Sequence, residues 1–379
     1  MLRFFFQKIV ISLIGISVGF LPLLAQETLL GKKGKLKEWN DTEGNYINAH
    51  GGGILVHNGK YYWFGEHRPA KGPSTLVGVN CYSSTDLEKW KYEGVALSVS
   101  EEKGSDIGRG CIIERPKVIY NQRTGKFVMW FHLELRGKGY EAARTAVAVS
   151  DTPEGPYRFV RSGRVNPGKW PRNMTELERN ISEGGEIYKE WWTPEWYKAV
   201  EKGMFVRRDF QGGQMARDMT LFVDDNGKAY HIYSSEENLT LHIAELSDDY
   251  LEHTGQYIRI FPCGHNEAPA IFKKDGVYWM ITSGCTGWKP NEARMFSASS
   301  IWGPWTQHPN PCRGMGAEKT FGAQGTYVLC LPKGKYIFMA DVWEPKSLMY
   351  SDYLWLPIEF DKKGVPCIYG PGEIKADVK

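Results

Sequence analysis

The chain predicts an all-β fold, a five-bladed β-propeller carrying one Trp-rich insertion. Three observations lead there. A turn-then-strand unit recurs five times, as HNGKYYWFGE (57–66), TGKFVMWFHLE (124–134), NGKAYHIYSSE (226–236), DGVYWMITSG (275–284) and KGKYIFMADVWE (333–344). Each copy has an apolar run before it and another after it, so each unit holds at least three strands with room for a fourth, and sheets of about four strands repeated along a chain build propellers. Composition agrees: 13% aromatic residues, 42 Gly and 20 Pro suit short strands joined by tight turns. A β-sandwich is the competing architecture.

The elements follow in order. Residues 1–25, MLRFFFQKIVISLIGISVGFLPLLA, have Arg3 and Lys8 ahead of an apolar run at 9–24 and a small Ala25 before Gln26. This pattern predicts a secretory signal peptide and a periplasmic or secreted protein, with a membrane anchor as the alternative reading. No Cys stands at the cleavage region and no later run approaches 18 apolar residues, so the mature protein is expected to have no membrane partner. Residues 26–379 then form one propeller domain. Its turn glycines, Gly59, Gly125, Gly227, Gly276 and Gly334, are separated by 66, 102, 49 and 58 residues. Asn-Gly and Asp-Gly mark such turns because the backbone there needs positive φ. The long second interval contains the insertion, at about 162–210. It carries Trp170, Trp191, Trp192 and Trp196, with short helices expected at 174–180 and 195–202. Two readings of it stay open: a lid or platform over a site, or a surface excursion whose tryptophans bury against a blade.

Charge and motifs exclude several functions. With 47 Lys+Arg against 44 Asp+Glu the net charge is +3, too balanced for a nucleic-acid partner. The seven Cys form no CxxC pair, so a zinc site is not expected, although disulfides are open in an oxidising compartment. Within 26–379 no G-x-S-x-G, P-loop or HExxH is present.

In a propeller the first strand of each blade lines the central channel, so its starting positions converge on one face. Counting back from each turn glycine gives His50, Glu114, Asp218, Glu267 and Gln324. Three carboxylates at one mouth repel one another and need partners. The arrangement points to a functional site, with a cation-plugged channel, including structural Ca²⁺, as the alternative. The chemistry that fits is glycoside hydrolysis, which needs one protonated carboxyl and a second group to handle water. Crowding raises the pKa of one carboxyl, which suits an acid near neutral pH. Trp288, after SGCTG, is a candidate for stacking on a sugar. Glu236 and Glu237 end a strand and read as solvent-facing, and Asp224 and Asp225 read as turn residues.

The strings NAHGGGILVHNGKYYWFGE, ERPKVIYNQRTGKFVMW, RDMTLFVDDNGKAYHIYSSE and NEAPAIFKKDGVYWMITSGCTGW resemble glycoside hydrolase family 43, and within it the exo-β-1,3-galactanase branch. The resemblance covers nearly all of 27–360 outside the insertion. It implies a secreted, inverting exo-glycosidase that needs no cofactor and takes a plant-type polysaccharide or oligosaccharide such as a β-1,3-galactan. It makes Glu267 the general acid, and puts Gln324 in the base position, where it positions the water or activates it as its imidic-acid tautomer. Glu114 is then a third essential group that tunes pKa or touches the sugar. Further sugar contacts implied are Glu66, Tyr140, Asp218 and Thr286, while His50 is a pocket wall or a structural histidine. An arabinofuranosidase or xylosidase, and a binding propeller without catalysis, are the alternatives.

Overall fold

The computed structural model describes residues 39–68 and 78–371. The predicted signal peptide lies outside the described residues. Five antiparallel sheets form the blades. Blade one holds β1 (His50–His57), β2 (Lys60–Glu66), β3 (Gly78–Ser84) and β4 (Lys91–Ser98). Blade two holds β5 (Ile112–Asn121), β6 (Lys126–Glu134), β7 (Arg144–Ser150) and β8 (Arg158–Gly163). Blade three holds β9 (Met219–Val223), β10 (Ala229–Ser235), β11 (Thr240–Leu246) and β12 (His253–Ile260). Blade four holds β13 (Asn266–Lys274), β14 (Val277–Gly284), β15 (Arg294–Ala298) and β16 (Thr306–His308). Blade five holds β18 (Gln324–Leu331), β19 (Lys335–Val342), β20 (Asp352–Phe360) and β21 (Pro366–Tyr369), with β17 (Cys312–Arg313) added in parallel at its outer edge.

The inner strands β1, β5, β9, β13 and β18 touch their neighbours in sequence, and β18 returns to β1. That is the propeller the repeats predicted. The turns behave as their residues require. Asn58 and Gly59 both take positive φ, and His57 pairs with Lys60, a two-residue hairpin. Asp275 and Gly276 repeat this between Lys274 and Val277. Apolar side chains alternate between the two faces of each blade and interlock with the next blade in separate clusters, so the core is a ring of layers.

The ring is closed by aromatic packing. Trp39 lies within 5.7 Å of the rings of Trp63, Tyr353 and Trp355, and its Nε1 donates to the Tyr353 carbonyl at 3.1 Å. The segment before blade one is thereby held against blade five. Among the described residues no helix is long and apolar enough to cross a membrane. The seven cysteines form no disulfide in this structure, so the pairings left open above are not made here.

The insertion starts after β8, at residue 164, two residues later than expected. It carries helices α1 (Glu176–Arg179), α2 (Pro194–Glu201) and α3 (Met204–Arg208). Both predicted helices are present. Thr175 and Glu178 form a reciprocal capping box at α1, and Thr193 followed by Pro194 starts α2. Trp196 is fully buried among Val200, Met204, Phe205 and Leu239, whereas Trp191 and Trp192 stay exposed. The burial of Trp196 fits the reading of a surface excursion packed on a blade.

Candidate active site

Four of the five inner strands break register at their heads, between His50 and Gly53, Glu114 and Lys117, Glu267 and Ala270, and Gly325 and Tyr327. These are β-bulges, which re-aim a side chain by inserting an extra residue. The bulges place Gly51, Arg115 and Ala268 at positive φ. In blade two the bulged residue is Arg115, and the bulge turns its guanidinium into the channel mouth.

There it organises a cavity of about 310 Å³ lined by Glu66, Glu114, Arg115, Asp218, Glu267, Gln324 and their neighbours. The heads of blades two to five, counted from the sequence, therefore do meet. Arg115 grips both oxygens of Asp218, at 3.1 and 2.9 Å, and donates to Gln324 Oε1 at 2.7 Å. Trp343 Nε1 donates to the same oxygen at 2.9 Å, and Gln324 Nε2 donates to Ser283 Oγ at 3.0 Å. Arg115 and Trp343 are donors only. The oxygen of Gln324 therefore cannot carry a proton without opposing two hydrogens, which disfavours the imidic-acid form.

Glu267 is the carboxyl with an elevated pKa, pushed up to about 7. Burial is the main cause and the Asp218 charge adds to it, with Arg115 opposing. Asn238 Nδ2 donates to its Oε1 at 3.0 Å. Asp218 is the carboxylate that raises it most. Burial works against ionisation of Glu114 too, but His132, Arg68 and Tyr140 hold it down at about 2. His132 Nδ1 lies 3.2 Å from Glu114 and Tyr140 Oη donates to it at 2.8 Å. His132 is itself clamped at its other nitrogen by Glu134, 2.9 Å away. Burial disfavours charge on His132, yet the two carboxylates push its pKa up to about 9. Crowded carboxylates are thus forced apart in pKa, which is how environments assign acid and non-acid roles.

Blade one departs from the count. His50 is completely buried, stacks on Tyr353 at 4.7 Å, and lies 3.5 Å from Asp341 through Nδ1. It does not line the cavity and is a structural histidine. Its cross-strand partner Glu66 takes the place at the mouth. Glycine is required beside it: a Cβ at Gly51 would sit 2.3 Å from Glu66 Oε1. Glu66 accepts from the Arg115 amide at 2.9 Å and pairs with Arg68, while burial raises its pKa.

Thr286 also departs from expectation. Its hydroxyl donates to the Lys289 carbonyl at 2.5 Å and accepts from Asn291 at 2.7 Å. It braces the loop that brings Gly287 and Trp288 to the cavity wall and is not itself on that wall. Trp288 is there, edge-on to Trp343 at 5.2 Å. Tyr140 and Asp218 line the cavity as expected. Glu236 is not solvent-facing: it is buried, held by Arg259 at 2.7 Å and by His242 at 2.8 Å. Glu237 pairs with Arg208 and Arg217. Sequence reasoning missed Arg68, Arg115, His132, Asn238 and Trp343. Only Arg115 left a signal, standing where the neighbouring bulged blades place Gly51, Ala268 and Gly325 after the head residue.

Beneath the cavity Lys117 plugs the channel. Its ammonium nitrogen donates to the Gly51 carbonyl at 2.9 Å and the Arg115 carbonyl at 3.3 Å, and burial together with Arg115 lowers its pKa to about 7. The cavity is therefore a blind pocket. Among the described residues no three acidic, His or Cys side chains are arranged to hold a metal ion, and Arg68, Arg115 and His132 pair with the carboxylates Glu66, Asp218 and Glu114 at the mouth.

A blind polar pocket at a propeller mouth, with Glu267 raised in pKa beside Glu114 held as an anion, has the kind of groups that acid–base cleavage of a glycosidic bond uses. Comparison with known proteins gives its family. Residues 191–340 match the model for glycosyl hydrolases family 43. A solved family 43 β-1,3-galactosidase, in complex with galactodeoxynojirimycin, is 71% identical with a TM-score of 0.87, covering 88% of this chain and 97% of that one. An exo-β-1,3-galactanase from Clostridium thermocellum is 34% identical with a TM-score of 0.71, covering 88% of this chain and 64% of that one. Among curated proteins, a xylosidase/arabinosidase of Thermoclostridium stercorarium is 31% identical over 139 residues, covering 33% of this chain and 28% of that protein. A β-D-galactofuranosidase of Aspergillus niger is 29% identical over 99 residues, covering 26% of this chain and 28% of that protein. The match thus spans under a third of the length of these curated relatives. The chain belongs to glycoside hydrolase family 43.

Proposed function

We propose that this protein is an inverting exo-glycosidase that releases galactose from the non-reducing end of a β-1,3-galactan. The observation that carries the reading is Glu267: a carboxyl with a pKa of about 7, in the same blind pocket as Gln324 and the anionic Glu114. At neutral pH about half of the Glu267 population is protonated and can donate to the leaving oxygen. Gln324, its oxygen held by Arg115 and Trp343, positions the attacking water. Glu114, Glu66, Tyr140 and Asp218 present acceptors and donors to the ring hydroxyls, and Trp288 offers an aromatic face. The plugged floor favours a chain terminus over a through-running polymer, which supports exo action. The choice of galactose over xylose or arabinose rests on the β-1,3-galactosidase that is 71% identical. The basic, apolar N-terminal stretch supports export to the periplasm or medium.

The test is hydrolysis of β-1,3-galacto-oligosaccharides with the product anomer followed by NMR. The α-anomer of galactose should appear first, and Glu267→Gln should lower kcat by about 10²–10⁴ while binding is retained. Release of the β-anomer first would refute inversion. Turnover of arabinosides or xylosides but not galactosides would refute the sugar assignment.

A further inference from the structure

We propose that Trp191 and Trp192 of the insertion form an extended binding platform for the sugar units of the polymer that follow the scissile bond. The proposal rests on the glycosidase reading above and extends it to a second part of the surface.

Topology places the insertion on the pocket face. Each inner strand starts at the cavity mouth, and three further antiparallel strands return the chain to that same face. Every connection from an outer strand to the next inner strand therefore crosses the mouth side. The segment between β8 and β9 is such a connection, and so is 261–265, between β12 and β13. The two meet: Trp192 stacks on His265 with ring centres 5.6 Å apart and planes 26° apart. His265 stands two residues before Glu267, and its amide donates to the Leu239 carbonyl at 3.3 Å. Leu239 packs against buried Trp196, and the adjacent Asn238 lines the cavity and bonds Glu267. The platform is thus joined to the side of the pocket that holds the candidate acid. The acid protonates the leaving oxygen, so the rest of the polymer must leave the pocket on that side.

The platform is built for display. Trp196 anchors it, fully buried, while Trp191 is 37% exposed and Trp192 is 57% exposed. Trp191 Nε1 donates to the Tyr188 carbonyl at 2.9 Å, which fixes that ring. Trp192 has φ +72, a conformation that bulky residues rarely adopt and that persists where surrounding structure over-determines it. Two fixed aromatic faces with polar neighbours Glu190, Thr193 and His265 match a pyranose, which has an apolar face and a hydroxyl rim. They form too small an apolar area for a stable protein interface, which needs roughly 800 Å² per partner.

The experiment compares wild type with Trp192→Ala and the double variant W191A/W192A on β-1,3-galactobiose and β-1,3-galactohexaose. Both rings are exposed, so the fold should survive, and an unchanged thermal midpoint checks this. The expected result is a loss of about tenfold in kcat/KM on the hexaose, with the biose within about twofold of wild type. Trp192→Phe should recover most of the loss. Equal effects on both substrates, or none on the hexaose, would overturn the platform. If wild type cleaves neither substrate, the galactanase reading fails by itself. The platform is then judged by affinity electrophoresis in soluble β-galactan, β-xylan and α-arabinan gels. Retardation of wild type that is lost in W191A/W192A sustains it, and identical mobilities overturn it.

Discussion

Replacing Asp218 by Asn is expected to move the basic limb of the kcat/KM profile to lower pH by about one unit. In the proposed mechanism the limb reports Glu267, which must be protonated in the free enzyme to act as acid. Its pKa of about 7 comes first from burial and then from the Asp218 charge. Removing a neighbouring anion favours the ionised carboxyl, so the pKa falls. Two unit charges 4 Å apart interact by about 4 kcal/mol at an effective dielectric of about 20, and less at longer range. Both oxygens of Asp218 are gripped by Arg115, at 3.1 and 2.9 Å, so Glu267 feels a partly neutralised charge. About 1.4 kcal/mol, or one pH unit, is the reasonable remainder. Arg115→Met should do the opposite. It removes a cation that lowers the Glu267 pKa and exposes the full Asp218 charge, so the limb should move up by about one unit. The assay is initial rates on β-1,3-galactobiose from pH 4 to pH 9, because a nitrophenyl leaving group needs too little protonation to report the acid. Shifts of the same sign in both variants, or no shift with Asp218→Asn, would refute the assignment of Asp218 as the tuning charge.

Two further outcomes concern stability. His132 is raised from 6.5 to about 9 by Glu114 and Glu134, so its contribution is complete below about pH 6.5 and is lost as pH rises through about 9. The thermal midpoint of wild type should therefore fall across that window by a few degrees more than that of His132→Gln; parallel curves would contradict the clamp. Glu236→Ala leaves Arg259 and His242 buried without their carboxylate, and should cost about 3–5 kcal/mol in urea unfolding. A loss under about 1 kcal/mol would show that the pair is dispensable.

How much of the site was legible depends on how far each residue's position is controlled by its own neighbours in the chain. Glu114, Asp218, Glu267 and Gln324 could be found by counting because each lies a short, turn-defined distance from a glycine that must bend. Arg115 could not. Strand alternation points the residue after a head away from the channel, and only the bulge, with its positive φ, reverses that. His50 and Glu66 exchanged roles for a related reason. They are register partners, and Gly51 leaves the space over the strand that the Glu66 side chain fills.

The sequence alone determined the number of blades, the turn positions and the ring of head residues, because hairpin formation and side-chain alternation are local properties of the chain. It also marked the insertion by its length and its tryptophans. Which carboxyl carries the raised pKa is set by the tertiary structure. That choice is electrostatic: it depends on Arg115 and His132 standing within hydrogen-bond reach of some anions and not others, across gaps of up to 103 residues in the chain. Burial and Coulomb interaction act through space, and no local pattern encodes them.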